Sequence, residues 1–193
     1  MVTIEITRKD LKEDLDMFSK QSNHLDFNDY IGKRIQYKKS KDNRYVSDIR
    51  NMTKRICTDA YSEVMMYYFT DCRFIPNFTI GQSKKYNVPD FDHIGLNLGL
   101  KTSDVKNPHL IQKPHNVKYD ELLSHIEFND ESIRYTILGV ATVDVMREYG
   151  DENLVISPTA RPYKNGFNRY DLLQKVYCFS DLTTVYDKRW QIK

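Results

Sequence analysis

The sequence predicts an α/β domain with a mixed central β-sheet flanked by helices. Three observations carry this. Segments of helical period and segments of strand character intermingle along the chain instead of segregating. The stretch "VPDFDHIGLNLGLKTS", residues 88–103, reads as two strands about a tight turn at Gly95-Leu96-Asn97, and such a hairpin excludes a purely parallel sheet. The chain has 193 residues, enough for one domain with a substantial core, and no repeat, low-complexity tract or linker divides it. The expectation is a single domain over 1–193 with its core at about 45–160.

The elements follow in order. "VTIEI" alternates and gives a first strand. "TRKDLKEDLDMFSKQSN" is an amphipathic helix: Thr7 is its N-cap, Asp10 follows three residues on, and Leu11, Leu15 and Phe18 fall at i, i+4 and i+7. "HLDFNDYIGKRIQYKKSKDNR" is polar, aromatic and basic, and its period places it in no element. The longest helix is expected at roughly 45–70, where Ile49, Met52, Ile56, Ala60, Val64 and Tyr67 or Tyr68 recur at helical spacing. "CRFIPNFTI" reads as a strand interrupted by proline. "YDELLSHIEF" and "SIRYTILGVATV" read as strands, the second buried by its β-branched content. Thr142 can cap a helix "VDVMREYGD" that Gly150 ends. "NLVISPTARPYKNGFNR" runs from a short strand into a basic loop. "YDLLQKVYCF" and "DLTTVYDKR" read as helical, with caps at Asn168 and Ser180.

Composition bounds the function classes. Hydrophobic residues make up 40% and charged residues 29%, a globular balance. A net charge of +2 permits a nucleic-acid partner without requiring one. No apolar run approaches the roughly 20 residues of a membrane helix, and the N-terminus lacks the apolar core of a secretory signal. Cys57, Cys72 and Cys178 form no CxxC pair, which argues against disulfides and a thiolate zinc site and for a reduced, cytoplasmic protein. The five histidines show neither HxxxH nor HExxH spacing. Richness in Asn, Lys, Ile, Tyr and Asp hints at an AT-rich coding genome, such as that of a phage or a low-GC bacterium.

Charged residues in the apolar stretches are the chemical signal. Asp90 and Asp92 share a face if their segment is extended, and Gly99 and Lys101 share a face of the next strand. A tight turn between the strands can bring Asp92 near Lys101. Glu63 sits on the apolar stripe of the long helix, where a carboxylate is expensive to bury unless it meets a cation or a metal. Such a cluster suits phosphodiester hydrolysis, with Mg²⁺ or Mn²⁺ held by two or three oxygens and a lysine near the phosphate. The competing reading is ordinary surface charge, worth about 0–1 kcal/mol per pair.

"ARPYKNGFNRY" interleaves Arg161, Lys164 and Arg169 with Tyr163, Phe167 and Tyr170, a pattern that suits a nucleic-acid backbone and stacked bases. Its alternative is a solvated loop whose rings dock on the core. A second basic stretch, Lys33 to Arg44, can track phosphates or simply be solvated.

The order of pieces "DAYSEVMMYYF", "VPDFD" and "LGLKTS", followed by the "YDEL" segment and "YTILGVATVDVMREY", resembles the PD-(D/E)xK nuclease superfamily over about residues 55–150. The resemblance implies a restriction-endonuclease-like core and a metal-dependent deoxyribonuclease. Matched by position, Glu63 is the helix acid, Asp92 (or Asp90, in the literal "PD") the strand acid that ligates metal, and Lys101 the motif lysine. Gly99 stands where the motif has its second acid. Glu63, Asp90 or Asp104 then makes up the second ligand, or the protein is a catalytically inactive relative that binds nucleic acid or protein, for example a phage host-interaction protein. The resemblance also implies DNA as partner and a homodimer.

Overall fold

The computed structural model describes residues 1–41, 48–81, 88–105, 110–111, 118–150, 166–167 and 169–182. It is a mixed α/β protein. Its strands are β1 (Val2–Thr7), β2 (Leu98–Ser103), β3 (Leu110–Ile111), β4 (Asp120–Phe128), β5 (Ser132–Ala141) and β6 (Gly166–Phe167). Its helices are α1 (Arg8–Gln21), α2 (Phe27–Lys41), α3 (Ile49–Phe69) and α4 (Val143–Tyr149). Four strands form one sheet in the order β1-β5-β4-β2, and β3 pairs antiparallel with β6. The sheet is mixed because β2 runs parallel to β4, whereas Asn129–Glu131 join β4 to β5 as a hairpin closed by the Asn129 N–H on the Ser132 carbonyl (3.0 Å). No helix among the described residues is long and apolar enough to cross a membrane.

The chain forms two compact units. One comprises residues 4–88 and 128–134, the other 1–3, 89–127 and 135–193. In the first, α1, α2 and α3 pack on one another. Thr7 caps α1 through the Asp10 N–H (3.1 Å), and Leu11, Leu15 and Phe18 are buried, as their spacing requires. Asp48 caps α3 through the Asn51 N–H (2.9 Å), and Met52, Ile56, Ala60 and Val64 are buried. The segment 27–41, whose period marks no element, is helix α2. Phe27 and Tyr30 anchor it, with the Tyr30 ring stacked on Phe78 at 4.9 Å. "CRFIPNFTI" is irregular and not a strand. Side chains take N–H groups that a ladder would need: Thr70 Oγ1 accepts from Phe74 (2.8 Å), and Glu63 accepts from Asn77 (2.8 Å).

In the second unit, Leu110, Leu123, Ala141, Met146, Phe167 and Leu173 form a core cluster. Thr142 and Asp120 both serve the start of α4, accepting from the Val145 and Val143 N–H groups respectively. The expected hairpin at 88–103 does not form. Residues 92–94 make a 3-10 turn that ends at Gly95 with φ +83°, a conformation glycine adopts without strain. Phe91 is buried, and its N–H donates to the Leu98 carbonyl (3.0 Å). The segment therefore folds back on the edge of β2 instead of extending as its partner. "YDLLQKVYCF" gives a 3-10 turn at Tyr170–Leu172, after which Gln174 exchanges two backbone hydrogen bonds with Val140.

A row of hydroxyls crosses this sheet. Ser124 Oγ lies 2.8 Å from Thr102 Oγ1 and 2.5 Å from the Tyr135 hydroxyl, and Thr102 lies 3.0 Å from the same hydroxyl. Tyr135 and Ser124 are fully buried. Buried hydroxyls must satisfy one another, so the row pins β2, β4 and β5 in register. Tyr135→Phe removes one member at nearly constant volume. It is expected to lower stability by about 1 kcal/mol, seen as a lower urea midpoint at unchanged slope.

Candidate functional site

The site grows from the parallel register of β2 and β4. Gly99 stands opposite Glu121, and Lys101 opposite Leu123. Register partners project to the same face, so Gly99, Lys101 and Glu121 share one side of the sheet and the hydroxyl row the other. β4 is buried from Asp120 to Ser124, and Glu121 within that run has 0% exposure. Its Oε1 lies 3.9 Å from Lys101 Nζ, whose side chain remains 41% exposed.

Gly99 is explained by this arrangement. A Cβ built there would overlap the Oε2 of Glu121 and stand 2.7 Å from Cε2 of Tyr119. The residue is a glycine because a carboxylate from the neighbouring strand fills the space beside it. Glu121 thus brings a carboxylate from β4 to the space beside Gly99.

Among the described residues β2 is the edge strand of its sheet, so part of its backbone has no strand partner there. Asp90 covers it: its Oδ2 accepts from the Leu100 N–H at 2.6 Å, between Gly99 and Lys101. The Tyr119 hydroxyl senses the whole group. Burial first, then the Glu121 and Asp90 carboxylates, raise it above the usual tyrosine range, against the lowering influence of Lys101. Tyr119 is therefore a neutral hydroxyl across the physiological range, beside two acids and one lysine.

The sequence-derived residues distribute as follows. Asp90 is bonded to the Leu100 N–H, one residue before Lys101, and the charges of both act on the Tyr119 hydroxyl. Asp92, the preferred acid, opens the 3-10 turn with its side chain exposed, because the strand expected there is a turn. Glu63 lies in the other unit, where its carboxylate accepts from the Asn77 N–H. Arg161, Tyr163 and Lys164 lie outside the described residues. Arg169 is described: it makes a two-pronged pair with Asp171 (2.9 and 2.7 Å) and sits 5.6 Å from the Tyr149 ring centre. Phe167 is buried in the core cluster, the docked-ring alternative for that residue.

Sequence reasoning misses Glu121 and Tyr119. The signal for Glu121 is present in "DELLSHI": a carboxylate inside a continuously buried strand carries the same burial penalty invoked for Glu63. What the sequence does not display is the register that sets it against Gly99.

The steric fit gives a direct test. Gly99→Ala is expected to destabilise by about 1–3 kcal/mol through overpacking. In a Glu121→Ala background that penalty is expected to shrink by at least about half, since the carboxylate is gone. Additive penalties in a denaturation cycle would disprove the contact.

Compared with known proteins, the chain matches no family model, no curated protein and no solved structure.

Proposed function

We propose that the chain is a metal-dependent deoxyribonuclease that hydrolyses DNA phosphodiester bonds at Asp90, Glu121 and Lys101, with Mg²⁺ or Mn²⁺ as the ion. The observation that supports this is the placement of Glu121 against Gly99. It restores a carboxylate two positions before Lys101 in space, where the PD-(D/E)xK pattern requires one and the sequence has none.

Two carboxylates suit Mg²⁺, which keeps several waters and takes one or two acids plus substrate phosphate oxygens. Asp90 and Glu121 would hold it. When bound, such an ion polarises the phosphate and makes its water more acidic. The remaining roles belong to the chain. Glu121, desolvated and wedged beside Gly99, presents its carboxylate in a fixed orientation. Asp90 is held on the strand edge by the Leu100 N–H. Lys101, half-exposed, offers its ammonium to a phosphate and to the charge that develops on it. The neutral Tyr119 hydroxyl is a hydrogen-bond donor at the same place.

A second reading is a nuclease-like fold that binds nucleic acid or protein without catalysis. It is favoured by one fact: among the described residues no group of three or more His, Cys, Asp or Glu is placed to hold a metal ion. Both readings meet the same experiment. Plasmid and single-stranded DNA are incubated with the protein in Mg²⁺ or Mn²⁺. Cleavage is expected, and Glu121→Gln, Asp90→Asn and Lys101→Ala are each expected to reduce it by about 100-fold. Retained DNA binding with no cleavage at any metal level selects the binder. Cleavage unchanged in Glu121→Gln removes this site from the mechanism.

A further inference from the structure

Helices α2 and α3 pack on each other within one compact unit and gather cations from both. Along α2, Arg34, Tyr37, Lys38 and Lys41 recur at i, i+3, i+4 and i+7, so they share a face. Lys41 Nζ sits 5.6 Å from the centre of the Tyr37 ring. Arg34 and Lys38 are half-buried, and Arg55 on α3 is exposed. Lys38 is held below the usual lysine range, mainly by burial. Asp59 opposes the shift, and the charges of Arg34 and Arg55 add to it. Cations from two helices therefore lie close enough to a half-buried ammonium for their fields to act on it.

Part of this has an ordinary cause. Lys38, Lys39 and Lys41 occupy the last turn of α2, where cations meet the negative end of the helix dipole. That does not account for Arg34, about two turns from the end, or for Arg55 on a second helix. Asp59, whose attraction is the largest charge effect on Lys38, offsets part of the repulsion among these cations, and the cations on this face still outnumber it. Cations interleaved with an aromatic ring fit a phosphodiester backbone with an adjacent base.

We propose that Arg34, Tyr37, Lys38, Lys41 and Arg55 form a nucleic-acid docking face on α2 and α3 that engages backbone phosphates. The choice of polyanion rests on the nuclease reading above; the face itself is separate from Asp90, Glu121 and Lys101.

The test uses the full chain in EDTA, so that binding is read without cleavage. Labelled duplex and single-stranded DNA, and RNA of the same sequence, are titrated at several salt concentrations. Lys38→Gln/Arg55→Gln is expected to weaken DNA binding by about tenfold or more, and to flatten the salt dependence by roughly one unit of log–log slope for each phosphate that is no longer neutralised. Lys12→Gln, on the exposed side of α1, is expected to change neither. Arg55→Gln alone, at an exposed position, keeps the test valid if the double variant is unstable. Equal weakening on RNA and DNA fits recognition of the backbone, and weakening confined to one defines the substrate. Unchanged affinity and slope overturn the proposal, as does binding to phosphatidylserine vesicles that alone responds to the substitutions. Cleavage with no effect of these variants on binding defeats this inference and leaves the nuclease reading intact; cation-dependent binding without cleavage does the reverse.

Discussion

The parallel pairing of β2 with β4 is the constraint on which the candidate site depends. It sets Gly99 against Glu121 and leaves the carboxylate filling the space a side chain would take. A slip of one residue would place Glu121 opposite Leu98 or Leu100 and turn its side chain away from Lys101. The hydroxyls of Thr102, Ser124 and Tyr135 resist such a slip from the opposite face, since moving one strand would leave buried donors without acceptors. The hydroxyl row and the charged group thus lie on opposite faces of β2 and β4.

The electrostatics follow from that geometry. A fully buried carboxylate is unfavourable unless a cation stands near, and Lys101 reaches it from the adjoining strand. Asp90 approaches from the opposite edge of β2, where the missing neighbour leaves a backbone N–H to be covered. The edge that would otherwise invite pairing with another chain is where Asp90 is held.

The helices are legible wherever local chemistry decides. The Thr7–Asp10 cap and the Leu11, Leu15, Phe18 stripe specify α1, and the apolar recurrence from Ile49 to Val64 specifies α3. Long-range pairing is not legible in the same way. Asp90 and Asp92 alternate with Phe91 as strand residues do, yet the burial of Phe91 and the left-handed Gly95 make a turn of that segment. Lys101 and Asp90 can be named because they lie eleven residues apart in a stretch with a visible pattern. Glu121 lies twenty residues beyond Lys101, and only strand pairing relates the two. The burial argument that draws attention to Glu63 applies more strongly to Glu121. Glu63 has a half-exposed position and a backbone N–H within reach; around Glu121, β4 is buried on both faces from Asp120 to Ser124.

The separation of Lys101 from Glu121 bears on whether this group is structural or chemical. At 3.9 Å it exceeds by about 1 Å the length of a charge-assisted hydrogen bond, so the two groups attract as neighbouring charges without the short contact that fixes an ion pair. A pair evolved to hold strands together gains most when it is short and shielded. Here the acid is shielded and the lysine is half in solvent. Under the nuclease proposal, that asymmetry would leave the ammonium able to reach a phosphate outside the sheet, above a desolvated carboxylate.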